Sequence, residues 1–457
     1  MARFDVRTTD GWSGIDEALR GASRGDTVFI AAGLYEGATT LGVPSGVTLE
    51  GEPGTLLAFQ GDEVAISIRN ATDVSLRGIA IEGYRQFAPD IDDADPDLLA
   101  LFGLVHAANS SRVRIRAVAV KAFARRRSCI SASTSEAIDI SSCTLSGARR
   151  GVSFNGTSGE IVGTTASHCF YGIALVPDDQ KRKSTAVIRG NECHDNKFAG
   201  IGLFSSESTD VSDNTCRRSD VYGVVLARGD KTVDEPSRAR LVGNRCSENG
   251  SAGIALFSSE SERVSDNICC NNGHSGILLK RADYSRAAAS GARLIGNTCN
   301  HNAQAGIVLF SSESEELSGN TCCSNLLSGI ILQRDPTNPE ATSRARIAGN
   351  ICRENKKAGI TLLSAESDEL TGNTCSSNGT KGISLARDSL SEGSPSRARL
   401  TANVCDANGS CGIELTSSES DDLSGNRCSN NGASGILLQR ALTVLNEPSR
   451  ACVTGNS

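Results

Sequence analysis

The 457-residue sequence predicts an all-β fold, a parallel β-solenoid of stacked coils. Three observations carry this. A repeat of two alternating step lengths runs through the second half. Residues inside each step alternate as strands do. Gly, Asn and Ser mark the corners, with no run long enough for a helix between them.

The repeat is counted from the Asn of each "GN" or "DN". That Asn falls at Asn191, Asn214, Asn244, Asn267, Asn297, Asn320, Asn350, Asn373, Asn403, Asn426 and Asn456, in steps of 23 and 30. A Cys follows two residues after each of the first ten, from Cys193 to Cys428. A Gly follows nine residues after, from Gly200 to Gly435. Repeats of this length mean stacked supersecondary units. After the Gly come "GIALFSS", "GIVLFSS" and "GIELTSS": Ile or Val first, Leu third, and a variable residue between. That period of two marks a strand with a buried face. Aliphatic residues such as Val211, Leu241, Leu294 and Leu370 stand three before the marker Asn. Coils stacked at ~4.8 Å would superpose equal residues in ladders.

The first 82 residues open differently. "GIDEALRGASRGDTVFIAAGLYEG" reads as a capping helix and first strand. "LGVPSGVTLEGEPGTLLAF" and "IRNATDVSLRGIAIEG" read as first coils. With these stretches the sequence resembles the right-handed parallel β-helix proteins, in particular the repeat class found in carbohydrate-binding proteins and sugar hydrolases. The resemblance implies one β-helix domain over 1–457: cap and first coils to 82, irregular coils with an insertion over 83–190, and regular double coils from 191. It does not imply one activity, because lyases, hydrolases, epimerases, adhesins and scaffolds share the fold.

Each ladder has a structural reading. The Cys row points inward and fills the core as small hydrophobes. A line of thiols is not a tetrahedral metal cluster, so no metal site is assigned there. The marker Asn and a second Asn four residues before each Gly suit corners and can bond to the amide of the next coil. His168, in "SHCFYGI", stands by this count in the second Asn's place. Charges four residues before the markers alternate from Arg293 through Glu316, Arg346, Glu369 and Arg399 to Asp422, and should pair along the stack.

Alternate coils carry seven extra residues at one corner. Each loop begins with an Arg: Arg228, Arg281, Arg334, Arg387 and Arg440. The short coils carry Glu207, Glu260, Glu313, Glu366 and Glu419 in the matching region, preceded by Phe204, Phe257 and Phe310. Two readings stand. Either the loops fold over the Phe rings with Arg and Glu tying loop to coil, or the row forms a ridge or groove that engages an elongated partner, since partner faces of solenoids arise from such insertions.

Chemistry needs unlike residues converging, which equal coils do not supply. The region 83–190 is the candidate. β-Helix lyases and epimerases acting on acidic sugars use a base and a cation or Arg to neutralise the carboxylate. The resemblance therefore points to Lys121, Arg125, His168 and Tyr171, although the familiar Asp-Pro-His-Asp epimerase motif is absent. Asp90, Asp92, Asp93, Asp95 and Asp97 form either a Ca²⁺ site or a solvated loop; no other cofactor is expected.

The net charge of −7 argues against binding nucleic acid by phosphate neutralisation. No apolar run reaches membrane-spanning length. The start "MARFDVRTTDGWSG" lacks an apolar signal segment, and the thiol row suggests a reducing compartment, so a cytoplasmic location is expected. The end, "ACVTGNS", carries no polar cap, which suggests an attached C-terminal part or a capping partner. The expectation is a non-enzymatic recognition scaffold presenting a ladder surface to a protein or polysaccharide. The alternative is a lyase, epimerase or hydrolase acting on acidic sugars, with its site in 83–190.

Overall fold

Ile and Leu two residues apart put two apolar side chains on one side of a strand, and stacking such strands removes both from water. In the computed structural model this happens at every regular coil. It describes residues 1–83, 102–123, 127–228, 235–282, 289–335, 343–387, 395–440 and 448–457. They divide into two units, 1–220 with 228–238 and 221–227 with 239–457. Asp90, Asp92, Asp93, Asp95, Asp97 and Arg125 lie outside the described residues.

The first unit opens with a strand, Arg3–Val6, followed by the expected helix, Gly11–Gly21. It buries Trp12, Ile15 and Leu19, and the Trp12 indole N–H donates to the Thr39 carbonyl at 3.0 Å. Three parallel sheets follow. One contains Ser111–Arg116, Glu136–Ser141 and Ser158–Val162. A second contains Gly103–Ala108, Ser128–Ser133, Arg150–Asn155, Tyr171–Val176 and Ala199–Phe204. A third contains Ala119–Ala122, Thr144–Ser146, Thr165–Ser167 and Glu192–His194.

The second unit repeats one coil pair with little change. Ile254, Ile277, Ile307, Ile330, Ile360, Ile383 and Ile413 pair in register, as do Leu256, Leu279, Leu309, Leu332, Leu362, Leu385 and Leu415. All are fully buried. Full burial of one such side chain is worth about 1.5–3 kcal/mol.

The Asn ladders are continuous here. Asn297 donates from both its backbone N–H and its Nδ2 to Asn320 Oδ1, each at 2.9 Å; Asn320 does the same to Asn350 at 3.0 and 2.9 Å. The second line, Asn272 to Asn302 to Asn325, repeats the pattern. The thiols lie inside beside it: Cys352 pairs with Cys375 in register, and both are fully buried. Burial pushes the Cys299, Cys322 and Cys375 thiols well up, so they stay protonated.

A third ladder escaped the sequence reading. Ser110, Ser135, Thr157 and Ser184 stack at one corner of the first unit, each hydroxyl oxygen accepting the backbone N–H of the coil before. In the second unit Ser290 and Ser396 take this role. Serine in "SSES" or "PSRAR" looks like loop composition until the coils are stacked.

Candidate functional site

The outer side of the second sheet in the first unit breaks the repeat. His106, Ser131, Ser153, Ala174 and Gly202 superpose there, between core positions such as Val105 and Ala107. His106 Nδ1 lies 2.7 Å from Ser131 Oγ, and its Nε2 lies 3.4 Å from Ser133 Oγ. Arg150 Nη1 donates to Ser153 Oγ at 3.0 Å. Asn155 Nδ2 donates to Ser153 Oγ at 3.4 Å, and its Oδ1 is buried without a hydrogen bond. Burial, with the nearby Arg69 charge, lowers His106 to about 4, so the ring is neutral at pH 7.

The next strand turns this face aromatic, because Tyr171 pairs with Arg150. Phe170 and Phe198 stack at 5.5 Å, and Tyr171 meets Phe198 and Phe204 edge-on at 5.3 Å each. The Arg149 guanidinium lies 4.2 Å from the Phe170 ring centre. All four rings are half-buried.

The sequence-nominated residues are not all brought here. Tyr171 is. Lys121 lies on the third sheet, paired with Glu82 and Ser146, its ammonium 4.9 Å from the Phe123 ring. His168 is exposed at a left-handed corner with φ 55° and faces His194 at 6.3 Å. It does not hold the second Asn's place. Cys169 does: its backbone N–H donates to Asn196 Oδ1 at 3.0 Å, as Asn249 donates to Asn272. This corner is one residue shorter than the regular ones, so counting back from Gly172 misplaced the ladder by one.

In the second unit, Phe257, Lys280, Phe310 and Gln333 form one outward column. Arg281 and Arg334 follow Lys280 and Gln333 and stand at the loop necks. Their backbone N–H groups donate to Phe310 and Leu363 at 3.2 and 3.1 Å. Ser258 Oγ accepts from Ala282 and Ser311 Oγ from Asp335, at 2.9 and 2.8 Å, while Ser290 Oγ donates to the Leu256 and Lys280 carbonyls, both at 2.9 Å.

At Arg281 and Arg334 the expected tie to a short-coil Glu is not formed among the described residues, and short-coil acids pair along the stack. The Glu residues lie in the first sheet, in a column Glu313, Arg344, Glu366, Arg397, Glu419. Arg397 meets Glu419 at 2.8 Å, and in the first unit Glu207 meets Lys183 at 2.7 Å. The charge ladder four residues before the markers does pair, with Arg293–Glu316 and Arg346–Glu369 both at 2.5 Å. A groove of about 610 Å³ runs over these columns, lined by Glu313, Arg344, Arg346, Asp368, Glu369 and Arg399 among others.

Residues 233–390 and 284–447 match the family described as right handed beta helix region. The chain belongs to the right-handed parallel β-helix proteins. Residues 108–283 of this β-helix also match the family described as periplasmic copper-binding protein (NosD). Solved structures similar to it include the A-module of a mannuronan C-5 epimerase from Azotobacter vinelandii, at 14% identity, TM-score 0.39, covering 99% of this chain and 98% of that one. A surface adhesin of Streptococcus pneumoniae matches at 11% identity, TM-score 0.41, with 93% and 89% covered. The Dettilon tailspike protein matches at 14%, TM-score 0.36, with 95% and 68% covered. A search of curated proteins found no match.

The match to a periplasmic family overturns the expected cytoplasmic location. The physical error lay in the thiols. Cys246, Cys269, Cys299 and their stacked neighbours have no exposed surface, so their reduced state reports burial rather than the redox poise of a compartment.

Proposed function

We propose that this β-helix is a recognition module that engages a polysaccharide across the aromatic patch of its first unit. The observation that carries this reading is the convergence of Phe170, Tyr171, Phe198 and Phe204, with Arg149 against one ring, in a chain of only 12 Phe, five Tyr and one Trp. Half-exposed rings offer flat apolar faces to sugar rings, and the hydroxyl, amide and guanidinium groups beside them suit sugar hydroxyls. Binding to a polysaccharide panel by calorimetry tests it. Tyr171→Ala with Phe198→Ala should weaken the best ligand at least tenfold while leaving the thermal midpoint of the protein nearly unchanged. Unaltered affinity would discard the patch.

A second reading, a lyase or epimerase working in 83–190, draws on His106. A buried neutral imidazole held by Ser131 can accept a proton. Wild-type protein that produces no unsaturated ends and no epimerised residues from uronate polymers removes that reading.

Copper finds little support in the donor set. Within 108–283 the stacked thiols are buried, and the hydrogen bond with Cys216, together with burial, raises Cys193 well above its ordinary range, which disfavours the thiolate that a soft metal needs. The only methionine, Met1, lies outside the matched residues. Asp195, beside His194, is held by Arg218 at 2.8 and 2.9 Å. Among the described residues no three His, Cys, Asp or Glu groups converge as metal ligands. No step is assigned to copper.

A further inference from the structure

The alternation of long and short coils in the second unit gives its loop-neck face a charge period of two coils. Long coils place an Arg at the neck, Arg281 and then Arg334, with Arg387 at the same position one repeat on. Short coils place Ser258 and Ser311 beside these positions, preceded by the half-buried rings Phe257 and Phe310. Moving from coil to coil at ~4.8 Å, the face alternates an aromatic, uncharged step with a cationic one, and equal cations recur at about 10 Å.

Among the described residues the guanidinium groups of Arg281 and Arg334 make no ion pair or side-chain hydrogen bond, and each Nε is buried without an acceptor. Most arginines of the neighbouring first-sheet columns, such as Arg293, Arg344, Arg346 and Arg397, are by contrast tied to carboxylates. A buried donor without a partner, repeated at the same place in two successive repeats, is what a ligand's acceptor would satisfy. The backbone at each neck is pinned, since the Arg N–H stays in the ladder and a Ser hydroxyl of the coil before holds the following residue. The cations are therefore presented at fixed spacing.

We propose that this face binds an acidic polysaccharide in which a charged sugar alternates with an uncharged one. The proposal rests on the reading of the chain as a polysaccharide-recognition module and adds the charge pattern of the polymer. Each carboxylate would meet one neck Arg in a charge-assisted pair, and the neutral sugar between would lie over a Phe ring. A polymer with a carboxylate on every sugar would put its extra charge on the short coils, where Ser258 and Ser311 offer no cation at the neck. Duplex nucleic acid spaces its phosphates at ~3.4 Å per strand, too closely for a cation every two coils.

Hyaluronan, which alternates glucuronate with N-acetylglucosamine, polygalacturonate, charged on every residue, and uncharged dextran separate the outcomes. Calorimetry on the full chain should give hyaluronan at least tenfold tighter binding than either of the others. Arg281→Gln with Arg334→Gln should abolish that preference with the thermal midpoint unchanged. Polygalacturonate binding as tightly as hyaluronan overturns the proposal without any variant, and so does a double variant that keeps its hyaluronan affinity. Dextran bound as well as hyaluronan, and lost on Tyr171→Ala with Phe198→Ala, leaves the recognition module standing and removes only the charge pattern. Binding of an acidic protein but of none of the three polymers removes both.

Discussion

The second unit stacks equal on equal, whereas the first unit stacks unlike residues on the same scaffold. From Asn267 to Asn403 every marker position is a buried Asn, bonded to the coil before and the coil after. In the first unit that column passes from Asn214 and Asn191 to Thr164 and then Cys143, with Thr164 accepting the Cys143 N–H at only 3.4 Å. The interior loses amides as the outer face gains His106, Arg150, Asn155 and four rings. Repetition here is a device for stability, because each side-chain amide completes its neighbour's hydrogen bonds. Chemical individuality collects where repetition lapses, or where the repeat itself alternates.

The sharpest test of this contrast removes one amide from each region. Asn320→Ala removes the acceptor of the Asn297 backbone N–H and takes one donor each from the Leu294 carbonyl and from Asn350 Oδ1, and should cost about 3–5 kcal/mol. Thr164→Ala should cost about 1 kcal/mol in the same urea titration. Equal costs would erase the distinction between the units.

Next comes pH. His106 is depressed to about 4 in the folded chain, from an ordinary 6.5. The unfolded chain therefore takes up the proton first as pH falls. The contribution of a neutral His106 is complete above pH 6.5 and is lost between pH 6.5 and about 4, by up to about 3 kcal/mol at ~1.4 kcal/mol per pKa unit. Urea midpoints at pH 7.5 and 4.5 should converge for His106→Asn relative to wild type. A wild type and variant with the same pH slope would show that the ring is not insulated from solvent.

Smaller effects compare the corners. Ser290→Ala removes the hydroxyl that closes a loop neck and should cost about 1–2 kcal/mol, and Ser184→Ala in the first unit about the same, because the hydroxyl ladder serves both units. A large difference in thermal midpoint between the two would place the loop, not the ladder, as the stabilised element. Smallest is the exposed pair Arg397–Glu419. Arg397→Ala should cost about 0.2–1 kcal/mol at low salt and less at 1 M salt.

Much of the fold was legible in residue order. The 53-residue period, the Ile-x-Leu alternation and the marker Asn each state a local rule, and stacking merely repeats it, so the Asn and Cys columns were found by counting. The counting failed at His168, where one missing corner residue moved Cys169 into the ladder. The location failed because buried thiols carry no information about a compartment.

The sequence by itself determined the coil, its step and its inward-facing residues, since a chain alternating apolar and polar positions has one way to hide its apolar side. Only the tertiary structure decided what the outside presents. Phe170 and Tyr171 stand a coil before Phe198 and Phe204 and meet them only when coils stack. Which carboxylate takes which Arg, and which Arg is left without one, depends on a register between coils that no single coil contains.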